Sequence, residues 1–185
     1  TLKEPYRLEG KKTMGYELVE QLNWNLPDVI LYPTGGGTGL LGIWKAFYEM
    51  MDLGWLDSSA RLPRMIVVQA QNCAPIVDRL NGVDRSTKAY RESLANGLAV
   101  PTAFGEDMIM EVLYESGGTG IAISEEEMVA GVKEMAASEG VLVAPEGAAL
   151  LKAIPKLKAS QHISDTDSVL MINTGSGYKY LENLD

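Results

Sequence analysis

The chain has 185 residues, 46% of them hydrophobic, and 16 basic against 25 acidic side chains give a formal net charge of −9. This is the composition of one packed globular domain, or one large piece of one, and its acidic balance argues against a nucleic-acid or anionic-membrane partner, whose phosphates would be repelled. No apolar run reaches the 18 residues of a membrane-spanning helix, and one cysteine (Cys73) with one histidine (His162) excludes an internal disulfide, a thiolate metal site and a histidine cluster.

In chain order, the segment begins at Thr1 with neither an initiator methionine nor a signal-peptide pattern, and reads as a fragment of a longer cytoplasmic protein. TMGYELVEQLNW places Met14, Leu18 and Leu22 at helical spacing behind Thr13, the expected N-cap. DVILY is a short apolar run that suits a buried strand. A glycine-rich loop, Thr34 to Gly39, follows it, and then a helix that ends near Gly54. RMIVVQA predicts a second strand and APIVDRL a short helix. Residues 81–103 are polar and read as a loop with one short strand at 97–100. GEDMIMEVLYESG predicts a helix and GIAI a strand. SEEEMVAGVKEMAASEG predicts a helix opened by a capping box, Ser124 with Glu127, whose acidic first turn suits the helix dipole. VLVAP reads as a strand, EGAALLKAIPKL as a helix with Pro155 near its end, SVLMINT as the last strand and GSGYKY as a turn away from it.

Alternation of this kind predicts an α/β fold: an open, mostly parallel twisted sheet with helices on both faces. Ligands of such sheets sit outside the carboxyl ends of the strands. The loops after VILYP, VLVAP and SVLMIN are therefore expected along one edge. His162, among polar neighbours, reads as a solvated loop residue, and Cys73 as a small buried hydrophobe. Glu146 suits a helix N-terminus without being assigned to catalysis, and Lys11 and Lys12 read as a solvated helix start.

The glycine loop carries the chemistry. Four glycines between residues 35 and 39 expose backbone N–H groups without a Cβ in the way, and the next helix adds its unpaired N-terminal donors. A phosphate is the natural occupant, with Thr38 as a hydroxyl donor. A P-loop fails, because no lysine follows until Lys45. A dinucleotide site fits Gly37, Gly39 and Gly42 but lacks an acidic ribose partner after the second strand, where Gln69 and Gln71 stand. A cradle for one monophosphate is the third reading, and the last two stay open on spacing alone.

Four stretches carry a resemblance: PYRLEGKKTMGYELVEQL, PTGGGTGLLGIWKAF, QAQNCAPIV with APEGAALL, and NTGSGYK. In order, and over nearly the whole chain, they resemble threonine synthase, a pyridoxal-phosphate enzyme of the tryptophan-synthase-like fold type II. The resemblance implies that residues 1–185 are most of the cofactor-binding large domain, with 1–12 leading in from a smaller domain. It implies pyridoxal 5'-phosphate as cofactor, held through its phosphate by Gly35, Gly36, Gly37, Thr38 and Gly39. It implies Thr174 at the pyridine nitrogen, where a neutral hydroxyl leaves that nitrogen largely unprotonated. Arg7 is implied on the phosphate of the substrate, O-phospho-L-homoserine. The implied reaction is a carbon–oxygen lyase reaction that uses water and gives L-threonine and phosphate, in a homodimer of the full-length protein, with no metal. No lysine here matches the family's Schiff-base lysine, which is expected outside this stretch, so the fragment alone is expected to be inactive. The alternatives are a related fold-type-II enzyme, such as a dehydratase or a cysteate-synthase-like enzyme, and a non-catalytic nucleotide-binding module.

Overall fold

Strands β1 (Val29–Pro33), β2 (Arg64–Ala70), β3 (Thr119–Ile123) and β4 (Val169–Met171) form one sheet in the order β3-β2-β1-β4, every neighbour parallel. The computed structural model describes residues 2–183; Thr1 and the last two positions of the expected 1–185 domain lie outside the described residues. Register runs Val29 opposite Arg64 and Val169, so all strands point their carboxyl ends to the same edge. The open parallel α/β sheet expected from the sequence is the one observed.

Alternate residues of the central strands feed two cores. Ile30, Tyr32, Met65 and Val67 face one side, with Phe47 and Ile43 of helix α2 (Thr38–Asp52) and Ile109 of α4 (Glu106–Ser116). Val29, Leu31, Ile66 and Val68 face the other, with Leu150 and Ala153 of α6 (Pro145–Ala159) and Met128 of α5 (Glu125–Glu139). A strand buried on both faces needs no polar alternation, which is why VILY and MIVV are unbroken apolar runs. The Ser124–Glu127 capping box forms both of its bonds, at 3.2 and 3.0 Å.

Four expectations are corrected. The first helix, α1, runs Pro5–Gln21, so Thr13 is interior and its hydroxyl donates to the Gly10 carbonyl at 2.7 Å. Tertiary packing sets this start: α1 lies against α2 so closely that a Cβ on Gly15 would sit 2.5 Å from that of Ala46, and one on Gly42 2.7 Å from the Lys11 backbone. Lys12 is accordingly not a solvated helix start. It is half-buried, pairs with Glu9 at 2.6 Å and Glu49 at 2.9 Å, and those two carboxylates drive its pKa upward. Lys45 also pairs with Glu9, and the Tyr16 hydroxyl donates to Glu49 at 2.6 Å.

Residues 97–100 form no strand; a turn over 96–98 and irregular backbone occupy that stretch. VLVAP is no strand either, since only a single antiparallel bridge joins Val143 to Ser176. An apolar run becomes a strand only where a neighbour offers a ladder, and Val143 is instead taken into a small core with Val132 and Ala148. Among the described residues no helix is long and apolar enough to cross a membrane, and no metal-ligand cluster is present.

Candidate functional site

The sheet's carboxyl edge gathers three loops. The first leaves β1. Thr34 extends the ladder by donating its N–H to the Val68 carbonyl at 2.8 Å, and its hydroxyl turns back to the Tyr32 carbonyl at 2.9 Å. Gln69, fully buried, braces the loop. Its Nε2 donates to the Thr34 carbonyl at 3.1 Å, while Oε1 accepts from the N–H groups of Ile76 and Val77 at 2.9 and 3.2 Å. One amide thus ties the loop to the first turn of α3 (Pro75–Leu80).

The glycines then divide into two kinds. Gly35, Gly37 and Gly39 have no room for a Cβ, which would collide with the Gly97 carbonyl oxygen, the Ile109 side chain and the Tyr32 hydroxyl respectively. Gly37 also holds φ at +76°, the left-handed turn that starts α2. Gly36 faces open space. Among the described residues, the backbone N–H groups of Gly35 through Leu40 donate to no protein atom; the first helical bond comes from Leu41 to the Gly37 carbonyl at 3.0 Å. Thr38, half-buried, stands at the same helix start. Six unspent donors at a positive helix end, with a bare side at Gly36, fit a single phosphoryl group.

The second loop is the turn around Gly97, and the third runs from Asn173 to Tyr180 past the end of β4. Glu146, in the first turn of α6, joins them: Oε1 accepts from the Gly97 N–H at 2.9 Å and from the Tyr180 hydroxyl at 2.8 Å. Burial and that bond push the Tyr180 hydroxyl up to about 12, so it remains a donor throughout the neutral range. A cavity of about 190 Å³ opens between these loops, lined by Pro33, Gly97, Glu146, Thr174, Lys179 and Tyr180 among others. Thr174 is exposed there and makes no side-chain hydrogen bond among the described residues. The glycine loop and Thr174 therefore share one edge, with Pro33 common to the loop's start and the cavity wall.

Arg7 occupies the first turn of α1 and is exposed, and among the described residues no hydrogen bond or ion pair joins its guanidinium to the loop. His162 is exposed, as expected; its carbonyl accepts from Arg64 at 2.5 Å. Cys73 is buried, and burial pushes its thiol pKa up, which suits packing rather than nucleophilic attack. Nothing local in the sequence marks Gly97, Tyr180 or Lys179, and Glu146 shows there only as a helix-end acid. The signal present in the chain is an acid immediately after Pro145, at a helix start; it becomes informative only once α6 is known to begin at that edge.

The family model described as pyridoxal-phosphate dependent enzyme matches residues 1–175. The chain is similar to the threonine synthase of Methanocaldococcus jannaschii, 32% identical over 177 residues that cover 95% of this chain and 43% of that protein. It is 35% identical to the threonine synthase of Methanosarcina acetivorans over 173 residues, 92% of this chain and 42% of that protein. The chain therefore spans less than half the length of these relatives. Among solved structures, an L-serine ammonia-lyase from Rhizomucor miehei superimposes with a TM-score of 0.70 at 19% identity, covering 96% of this chain and 56% of that one. An O-ureido-L-serine synthase superimposes with a TM-score of 0.73 at 14% identity, covering 97% and 49%. At these identities the superpositions establish the fold.

Proposed function

The chain belongs to the pyridoxal-phosphate dependent enzymes, and from that membership we propose that it is the cofactor-phosphate part of a threonine synthase acting on O-phospho-L-homoserine and water. The observation that carries the reading is the row of unspent N–H groups from Gly35 to Leu40 at the start of α2. Bound there, pyridoxal 5'-phosphate supplies the electron sink that carbon–oxygen bond cleavage needs. Gly35, Gly36, Gly37, Thr38 and Gly39 would bind and orient its phosphate, and Thr174, which lines the neighbouring cavity, would meet its ring nitrogen. Arg7 takes the substrate's phosphate on this reading, on a helix clamped to α2 by the Lys12–Glu49 pair. The lysine that anchors the cofactor belongs to a segment outside residues 1–185, so this stretch binds without turning substrate over, and the full-length protein works as a cytoplasmic homodimer.

The test is thermal melting with added ligands. Pyridoxal phosphate should raise Tm, by the equivalent of about 2.7 kcal/mol at a hundredfold excess over Kd. Stabilisation by NAD and not by pyridoxal phosphate would replace this reading with the dinucleotide one. In the full-length enzyme, Arg7→Ala should raise KM for the phosphorylated substrate most; an unchanged KM removes Arg7 from the site.

A further inference from the structure

Between Leu80, where α3 ends, and Glu106, where α4 begins, the chain forms no helix or strand. Connections that long and that irregular are uncommon inside a packed domain, and those that exist generally serve a function. This one is not loose. Ala95 and Leu98 are buried in the core that holds Leu31 and Leu150. Lys88 meets both carboxylate oxygens of Asp78 at 2.6 Å, and the Tyr90 hydroxyl donates to one of them at 2.9 Å. Asn72 Nδ2 donates to the Glu92 carbonyl at 3.2 Å, and the Arg91 N–H donates to the Asn72 carbonyl at 3.0 Å. The Leu94 N–H donates to Glu125 at 2.9 Å, and the Gly97 N–H to Glu146 at the same distance.

What the segment delivers is the wall behind the glycine loop. The Gly97 carbonyl and the Val100 side chain occupy the place that a side chain on Gly35 would need. Arg85 pairs with Glu106 at 2.8 Å in the first turn of α4, the helix whose Ile109 backs Gly37. Gly35 and Gly37 are therefore each backed by a group that this segment carries or fixes.

Asp78 is the far anchor. It lies in α3, is 7% exposed, and makes no hydrogen bond to residues 34–40 among the described residues. An ammonium and a hydroxyl converge on this buried carboxylate, so removing its charge releases Lys88 and with it the first half of the segment. Resting on the assignment of the cofactor phosphate to the glycine loop, we propose that residues 81–105 are a strap that aims the loop's N–H groups, and that Asp78 is a positioning residue for a phosphate it never touches. N–H groups at a helix start hold an anion only when they point at it, and a displacement of about 1 Å is enough to spoil such a constellation.

The experiment is phosphorus NMR of pyridoxal phosphate bound to the full-length protein, together with the affinity of the apo-protein for it. Lys88→Met cuts the tie from its exposed end and Asp78→Asn from its buried end. Each should move the phosphorus signal and lower the affinity about tenfold. Lys152→Met, which removes an α5–α6 ion pair that involves no residue of the strap, should leave both at their native values. A native signal and affinity in Lys88→Met, even with a lowered melting temperature, would make the segment structural only and overturn the proposal, as would an equal shift in Lys152→Met. If Asp78→Asn does not fold, Lys88→Met decides. A native protein that binds no pyridoxal phosphate would instead defeat the reading of the glycine loop, an outcome distinct from a bound cofactor with an unmoved signal.

Discussion

The two ends of the candidate site are built on opposite plans. At the loop after β1 the ligand-facing groups are backbone, six consecutive N–H donors shaped by glycines and one buried amide brace. At the cavity beside Thr174 the lining is mostly side chains, brought from α6 and the 173–180 loop and tied to the backbone of the Gly97 turn. A backbone site is written into a few adjacent residues and depends on the absence of atoms. A side-chain site is written across the long stretch from Gly97 to Tyr180 and depends on where three loops meet. The first end should fail when an atom is added, the second when one is taken away or changed in charge.

Gly35→Ala should be the most damaging change. Its Cβ collides with a backbone carbonyl, which unlike a side chain has no rotamer to yield, and we expect a loss of about 3 kcal/mol in denaturant unfolding. Gln69→Leu should follow at about 2 kcal/mol, since it leaves the Thr34 carbonyl and the Ile76 and Val77 N–H groups buried and unpaired. Gly36→Ala sharpens the contrast instead. Open space surrounds that position, so Tm should hold while affinity for pyridoxal phosphate falls roughly tenfold, about 1.4 kcal/mol. An unchanged affinity there would mean that the bare side of the loop is not where the phosphate lies. Ser124→Ala, remote from both ends, should cost about 1 kcal/mol through the lost cap and leave cofactor affinity untouched.

The same division explains what the sequence made legible. β1, β2 and α2 were readable because an apolar run, a glycine cluster and a 3.6-residue period each state their structure locally. The Ser124 cap was readable for the same reason, since both of its bonds lie within four residues. The true start of α1 was not, because PYRLEGKK shows no apolar period. Its helix is secured by Gly15 and Gly42 at the α2 contact and by Lys12 between two acids, none of which is a local signal. VLVAP misled in the opposite way, with strand-like composition but no neighbouring ladder beyond one bridge. Glu146 was visible as an acid at a helix start, yet its second role needs Gly97 and Tyr180, which lie 49 and 34 positions away.

Gln69 has a consequence beyond bracing. It occupies the end of the second strand, where an adenosine-bearing ligand would look for an acceptor to take its sugar hydroxyls. Two N–H groups of α3 already fill both lone pairs of its oxygen. With its oxygen committed to α3, Gln69 has no lone pair left to offer a ribose: the residue that keeps the loop in shape is closed to a second partner.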